Sequence, residues 1–351
     1  MELEENENTG TMPVLEKHVF NAAALEDYMQ SNVEGFKGPI RVEEFKGGQS
    51  NPTYKIVTSN RSYVLRRKPP GKLLKSAHAV DREYKVITAL NKTDVPVPTS
   101  YALCEDEDII GTAFYLMEFI DGRVLWDPAM EDSDNEEAAG VYGSMNESIV
   151  KLHRVSPGDI GLQDFGKPGN YVGRQVSRWS KQYMDSETEN IDSMNNLIEW
   201  LPNNLPSEKQ TSIVHGDYSL TNVMMHKKDP EIIAILDWEL STLGDPCADF
   251  NYHCLQYTLN PLLADPAYCK EKGIPLVKDY VDTYSNAMGI DLHAEWELYT
   301  AYNLFKLAGI LQGILGRVRD GTAASKQAAE RASGVKNLSD SGWELIEKNF
   351  K

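Results

Sequence analysis

Residues able to act on a phosphate group are concentrated between positions 212 and 250. The stretch reads S-I-V-H-G-D-Y-S-L-T-N-V-M-M-H-K-K-D-P-E-I-I-A-I-L-D-W-E-L-S-T-L-G-D-P-C-A-D-F. Asp217 follows His215-Gly216, Asn222 comes five residues later, and Asp237 stands at the end of the apolar run 232–236. Phosphoryl transfer needs the attacking hydroxyl oriented and the phosphate charge neutralised by metal. A carboxylate at Asp217 can accept the hydroxyl proton, and Asn222 and Asp237 offer the hard oxygen ligands that Mg²⁺ prefers. The plainer reading makes Asp217 and Asn222 turn residues and Asp237 a strand-end cap.

Local structure would bring these groups together. Ile213 and Val214 read as a short strand running into His215-Gly216-Asp217. Val223, Met224 and Met225, a polar turn at Lys227-Lys228-Asp229-Pro230, and the apolar run 232–236 read as a hairpin that delivers Asp237 at its end. Gly244-Asp245-Pro246 reads as a turn, and either Asp245 or Asp249 could cap a helix over 248–257. The order of parts, a catalytic Asp, an Asn in the same loop and a metal-binding Asp beyond a strand, follows the logic of protein kinases.

H-G-D-x-x-x-x-N, I-L-D-W-E and G-D-P-x-x-D together resemble the aminoglycoside phosphotransferase (kinase-like) family. Within it the chain is most similar to the branch that also forms the kinase domain of some acyl-CoA dehydrogenase-like proteins. The resemblance covers roughly residues 35–320. It implies an α+β, two-lobed protein-kinase-like fold, with a small antiparallel-sheet N-lobe and a mostly helical C-lobe. The implied division is a tail and short helix over 1–34, a nucleotide-binding lobe over 35–120, and a catalytic and substrate-binding lobe over 121–351. The implied reaction moves the γ-phosphate of ATP, or alternatively GTP, with Mg²⁺, onto a small-molecule hydroxyl. Asp217 would be the base or orienter, and Asn222 and Asp237 the metal ligands. His215 would orient the loop, Asp249 would support it, and Glu239 would lie beside the metal, with a structural role equally open.

The resemblance also assigns parts to the N-terminal third. Residues 45–57 read as strand, turn, strand, and paired glycines there suit either a hairpin turn or a close backbone approach to phosphate. The family's nucleotide-covering loop falls here, which points to Gly48, Gln49, Ser50 and Asn51. The next strand, 62–67, holds Arg66 where the family has a phosphate-pairing lysine. Arg can grip phosphate bidentately, whereas strand alternation aims Arg67 at the opposite face. The helix over 77–91 would supply Glu83 as the partner of Arg66, the alternative being a surface glutamate. The strand 113–119 would end in a hinge, where Glu118 and Phe119 contact adenine.

Composition bounds the rest. The chain has 351 residues, 41% hydrophobic and 25% charged, as expected of a globular protein with ample core. No apolar run approaches the roughly 18 residues of a membrane helix, and the acidic start is no secretory signal. Four cysteines (Cys104, Cys247, Cys254 and Cys269) lack metal spacing and read as reduced and packed, which suits the cytoplasm. A net charge of −18 argues against nucleic-acid and anionic-membrane partners. Against it stands a basic stretch over 66–75, readable as a solvated loop or as a dock for nucleotide or coenzyme A phosphates.

Residues 1–11 read as disordered. Helices are expected over 21–32, 136–155, 171–186, 191–200, 277–286 and 294–317, with a closing helix near Trp343. His153 reads as a capping or packing residue, and Tyr171, Trp179, Tyr183 and Trp200 as packing anchors. Gly309, Gly313 and Gly316 would allow either close helix packing or room for a substrate. Arg317 and Arg319 suit an anionic substrate or the helix dipole, and 319–335 reads as a flexible loop. The resemblance favours a hydroxyacyl-CoA (a CoA thioester) as acceptor. Aminoglycosides, choline- or homoserine-like alcohols, and a nucleotide-binding pseudokinase acting as an interaction module are the alternatives. Oligomeric state is not legible in the sequence.

Overall fold

The computed structural model describes residues 9–46, 51–70, 79–321 and 332–351. The chain divides into two compact units. One takes the chain up to Val124 together with Asn222–Lys228 and Ile232–Leu240. The other takes Leu125–Thr221, Asp229–Glu231 and Ser241–Lys351.

The first unit is built on a six-stranded antiparallel sheet in the order β1-β2-β3-β4-β6-β5. Its strands are β1 (Thr11–Met12), β2 (Arg41–Phe45), β3 (Thr53–Val57), β4 (Ser62–Arg67), β5 (Ser100–Cys104) and β6 (Phe114–Glu118). Helix α1 (Ala22–Asn32) starts where the Asn21 side chain accepts the Ala24 N–H. It packs Leu25 and Met29 with Tyr54, Ile56, Tyr63, Leu65, Phe114 and Leu116 in one apolar core. Alternation along β4 puts Tyr63 and Leu65 in that core and Val64 and Arg66 on the other face. Helix α2 (Val80–Leu90) approaches β5 and β6, and Tyr115, between the core residues Phe114 and Leu116, turns its hydroxyl to Glu83 of this helix. A short α3 (Glu107–Ile110) completes the sheet connections.

The expectation of disorder through residue 11 fails at its end, because Thr11 and Met12 pair with Phe45 and Glu44. The side chains of Glu43 and Glu44 hold the segment in place: Glu43 accepts the Thr11 hydroxyl, and Glu44 accepts the Leu15 N–H.

The hairpin of β8 (Val223–Met225) and β9 (Ile232–Ile235) belongs to the same unit. It is anchored by mutual backbone hydrogen bonds between Arg123 and Met225 and by the Ile235 N–H donating to the Pro96 carbonyl at 2.8 Å.

The second unit is helical, with one two-stranded sheet of β7 (Ser212–Val214) and β10 (Thr242–Gly244). Its helices are α4 (Asn135–Arg154), α5 (Tyr171–Ser186), α6 (Asp192–Trp200), α7 (Pro246–Cys254), α8 (Gln256–Leu259), α9 (Pro266–Lys272), α10 (Val277–Met288), α11 (Trp296–Arg319) and α12 (Val335–Phe350). At the turn expected over Gly244-Asp245-Pro246, β10 runs directly into a helix, and Asp245, one of the two residues expected to cap it, does so. Asp245 accepts the Cys247 N–H at 2.9 Å, so α7 begins at Pro246, not Ala248.

The glycines of α11 serve helix packing. A methyl group on Gly309 would meet Trp179 Cβ at 3.3 Å, and one on Gly316 would meet Ser186 Cβ at 2.5 Å, both on α5. Tyr171, Trp179 and Tyr183 are buried as expected of packing anchors, and all four cysteines are buried and free. No helix among the described residues is long and apolar enough to cross a membrane.

Candidate active site

In the first unit, the end of the β8–β9 hairpin brings two of the candidate residues side by side. Val223 pairs with Ile235, and the Leu236 N–H donates to the Asn222 carbonyl at 2.8 Å. That bond extends the ladder by one step, so Asn222 and Asp237 leave the same end of the hairpin. Asp237 adopts φ 59°, a left-handed conformation uncommon outside glycine and tolerated by Asp. Trp238, buried behind it, donates its indole N–H back to the Ile235 carbonyl at 3.0 Å, which closes the turn.

Arg66 faces this hairpin end. Its Nη2 donates to Asp237 Oδ1 at 2.6 Å and lies 3.8 Å from Glu239, while Nε pairs with Glu83 Oε2 at 3.0 Å. Glu83 is 1% exposed, which settles its orientation inward. Its Oε1 accepts the Asn51 amide at 2.9 Å, and Oε2 accepts the Tyr115 hydroxyl at 3.1 Å. Burial pushes the Glu83 carboxyl up, to about 7, against the pull of Arg66. Arg66 stays cationic: burial opposes the charge, but Glu83 and Asp237 outweigh it and hold its pKa above the ordinary value.

Of the remaining candidates of this unit, Asn51 shares this network and the others have separate surroundings. Asn51 is fully buried against Glu83. Glu118 accepts the Thr99 hydroxyl and N–H at 2.8 and 3.2 Å. Phe119 stacks on Phe45, with the Lys55 ammonium 4.0 Å from its ring centre. Gly48, Gln49 and Ser50 lie outside the described residues. Arg67 turns to the other face as alternation requires, donating to the carbonyls of Ile110 and His18. Arg67 is therefore turned away from any polyanion-docking surface, while Arg66 is turned toward Glu83 and Asp237. Residues 71–75 of that stretch lie outside the described residues.

In the second unit, β7 runs into the His215-Gly216-Asp217 loop, and Asp249 of α7 braces it. The N–H groups of His215 and Gly216 donate to Asp249 Oδ2 and Oδ1 at 2.7 and 2.8 Å. His153, near the end of α4, is buried beside the same carboxylate, with Nε2 3.2 Å from Oδ2 and Nδ1 2.7 Å from the Tyr284 hydroxyl. Burial raises the Asp249 carboxyl, but its bonds to His153 and His215 outweigh that and bring it below the usual carboxylate range. The His215 ring accepts the Asp217 N–H at 3.3 Å. Asp217 itself is half-buried, and its Oδ1 accepts the Tyr252 hydroxyl at 3.0 Å.

Three residues of this loop's surroundings escaped the sequence reading. His153 reads as a capping or packing residue, and its link to Asp249 appears only in the folded chain. Tyr252 follows Asp249 by three positions on one helix and so shares its face. Lys306 is the only charge between Glu297 and Arg317, and a lone charge in an apolar helix signals a buried partner. It is 5% exposed and donates to the Gly216 carbonyl at 2.8 Å.

The donor chemistry suits Mg²⁺. Asn222 and Asp237 could offer an amide and a carboxylate oxygen, and the Asp237 side chain is 36% exposed. Among the described residues no group of three or more His, Cys, Asp or Glu side chains is placed to hold a metal. A pair of oxygen ligands completed by phosphates and water is the usual setting of Mg²⁺, unlike an all-protein cage.

Known proteins resemble this chain over most of its length. The profile of the phosphotransferase enzyme family (APH) matches residues 41–299. A crystal structure of a candidate aminoglycoside phosphotransferase from Ralstonia eutropha JMP134 is 47% identical. It superposes with a TM-score of 0.87 over 94% of this chain and 99% of that one. Acyl-CoA dehydrogenase family member 10 of Mus musculus is 41% identical over 96% of this chain and 32% of its own length. The chain thus spans about a third of that relative. The aminoglycoside phosphotransferase APH(4)-Ia, in a ternary complex with AMP-PNP and hygromycin B, shares the fold at 13% identity. Its TM-score is 0.59, over 92% of this chain and 99% of that one.

Proposed function

The chain belongs to the phosphotransferase enzyme family, and on that premise we propose that it transfers the γ-phosphate of ATP to the acyl-chain hydroxyl of a hydroxyacyl-CoA. It is a phosphotransferase of the small-molecule kinase type, with an alcohol group as acceptor. The observation that carries the nucleotide part of the fuller reading is the hairpin end where Asn222 and Asp237 emerge together, with Arg66 on Asp237.

Asn222 and Asp237 would hold Mg²⁺, which when bound neutralises phosphate charge and orients the nucleotide. Arg66, fixed by Glu83, would position the phosphates. Gly48, Gln49 and Ser50 would cover them, Asn51 would brace Glu83, and Glu118 and Phe119 would meet the base. In this reading the nucleotide contacts lie within 35–120 and the acceptor contacts within 121–351. Asp217 takes the proton of the acceptor hydroxyl as its oxygen bonds to the γ-phosphorus and the bond to the ADP oxygen breaks. Asp249 and His215 keep the Asp217 loop in one conformation, and Glu239 supports the cationic end of Arg66.

What favours a hydroxyacyl-CoA is the mouse relative, a longer protein named for the acyl-CoA dehydrogenase family, of which this chain matches 32%. The pairing of Arg66 with Glu83 weakens the case for a module that binds nucleotide without transferring phosphate, because the arginine keeps the carboxylate partner that the role requires.

An assay of nucleotide consumption with Mg²⁺ tests the proposal, offering ATP or GTP with a 4-hydroxyacyl-CoA, a 3-hydroxyacyl-CoA, kanamycin or choline. Turnover of ATP with one hydroxyacyl-CoA, abolished in Asp217→Ala while nucleotide binding persists, is expected. Turnover with kanamycin or choline in place of the thioesters would replace the acceptor. Unchanged turnover in the variant would overturn the role of Asp217.

A further inference from the structure

The loop that carries Asp217 is gripped from both sides of its backbone. Its N–H groups at His215 and Gly216 are taken by Asp249. Its Gly216 carbonyl is taken by Lys306, which reaches it from the middle of α11. The Lys306 ammonium also lies 4.0 Å from the centre of the Tyr252 ring. The hydroxyl of that same ring donates to Asp217 Oδ1 at 3.0 Å. One buried cation therefore touches the loop through two routes, a peptide carbonyl beside Asp217 and an aromatic face whose far end holds the carboxylate.

Burying an ammonium is costly. Among the described residues Lys306 has one hydrogen-bond acceptor, the Gly216 carbonyl, and no carboxylate within ion-pair distance. A methionine or leucine would fill this position in an apolar helix at no electrostatic cost. A cation held on one carbonyl and one ring points to a task at that carbonyl and ring.

We infer that Lys306 is a positioning residue for phosphate transfer, which fixes Asp217 through the Gly216 carbonyl and through Tyr252. The inference rests on the reading of Asp217 as base or orienter. Lys306 does not touch the reacting atoms. Gly216 has φ 86°, and the carbonyl bond holds this peptide in the orientation that presents Asp217. Tyr252 keeps the carboxylate in one rotamer, and the cation over its ring fixes the ring in turn.

The arrangement carries a pH signature. The charged and titratable groups around Lys306 are Asp217 from the loop, Asp249 and Tyr252 from α7, and Arg178 from α5. Burial, aided by Arg178, lowers the Lys306 ammonium to about 8, against the opposing pull of Asp249 and Asp217. Lys306 would lose its proton in mildly alkaline solution, and the Gly216 carbonyl would lose its charged donor.

The test compares wild type with Lys306→Met, Lys306→Arg and Tyr252→Phe, and with Asp217→Asn as reference, using the acceptor found in the assay above. Each protein is measured for kcat and KM across roughly pH 6.5–9.5, about one and a half units either side of the Lys306 midpoint, for Mg²⁺·AMP-PNP affinity, and for amide exchange of the 215–218 loop. Lys306→Met should lower kcat about tenfold to a hundredfold, the cost of a small misplacement of a reacting group. Its KM for ATP and its nucleotide affinity should stay within twofold of wild type, and its loop amides should exchange faster. Lys306→Arg should restore part of kcat and retain it at alkaline pH, where wild type declines.

Wild-type kcat in Lys306→Met, or an equal alkaline decline in wild type and Lys306→Arg, would overturn the inference. If Lys306→Met does not fold, Lys306→Arg and Tyr252→Phe decide the matter by the same readouts. A collapse of Asp217→Asn beside an active Lys306→Met would sink this inference alone. An active Asp217→Asn would sink the role of Asp217 beneath it.

Discussion

Arg66 and Asp237 stand 171 positions apart in the sequence and meet at 2.6 Å. The same guanidinium pairs with Glu83 at 3.0 Å. One flat cation therefore ties a strand, a helix and a hairpin end, which a lysine, with a single nitrogen, would reach at fewer points. Glu83→Gln removes the buried counter-charge and leaves Arg66 with partly exposed partners. Removing one member of a buried pair is strongly destabilising. Urea unfolding above the Glu83 value of about 7, where the carboxyl is ionised, should show a loss of about 3 kcal/mol, together with weaker Mg²⁺·AMP-PNP binding. An unchanged midpoint would mean that Asp237 alone satisfies Arg66.

Asp249 accepts two backbone N–H groups with its two oxygens, so Asp249→Asn turns one acceptor into a donor facing a donor. The expected loss is about 3 kcal/mol of stability, with a lower kcat from the loosened loop. The pH dependence has a definite sign. The folded-state carboxyl lies below its ordinary value of 3.8, so its contribution is present above that value and lost as pH falls through the folded one. Wild type should therefore lose stability in acid more steeply than Asp249→Asn, as measured by melting temperature from pH 6 down to about 2.5.

Lys306 acts on stability in the opposite sense. Its folded value of about 8 lies below the ordinary 10.5. Between those values the unfolded chain binds more protons than the folded one, so stability rises with pH. The gain attributable to this residue is about 3 kcal/mol. Lys306→Met should be more stable than wild type near pH 7, and the difference should shrink toward pH 10. Parallel urea-midpoint curves for the two proteins would show that the ammonium is better accommodated than its burial implies.

The glycines of α11 offer a purely steric test. At an exposed helix position Gly→Ala raises stability by about 1 kcal/mol. At Gly316 the added methyl would come within 2.5 Å of Ser186 Cβ and 3.2 Å of its Cα, so α5 must move. Calorimetry of Gly316→Ala should show a loss of about 1–3 kcal/mol. A gain would mean that the two helices separate freely there.

Some of this was readable from the residues. Asp217, Asn222 and Asp237 sit in short segments whose strands and turns are encoded locally, so their spacing revealed the hairpin and its exit. Glu83 lay one residue off its helix's apolar stripe, ambiguous until Tyr115 and Asn51 supplied partners. Asp249 drew its role from the family resemblance, and the two backbone bonds behind that role come from a helix 34 positions downstream of His215. Lys306 and Tyr252 were invisible as a pair, because nothing local relates α11 to the 215–217 loop. The same limit hid β1 and β10, strands of two and three residues whose existence depends on the partner strand rather than on their own pattern. The glycines of α11 fitted two uses until α5 was seen against them.

The hairpin bearing Asn222 and Asp237 is grouped with a unit otherwise built by the chain up to Val124. Neither unit is therefore a single uninterrupted length of coding sequence. A fragment ended at Val124 would retain Arg66 and Glu83 but lose Asp237, and the guanidinium would be left with one of its two closest counter-charges. Gene fusion or recombination can move this protein intact, but a cut between the sheet and the hairpin separates the cation from the carboxylate it holds. A split version would need its second piece to begin before Asn222, and the two pieces would have to reassociate to rebuild the Arg66 pairings.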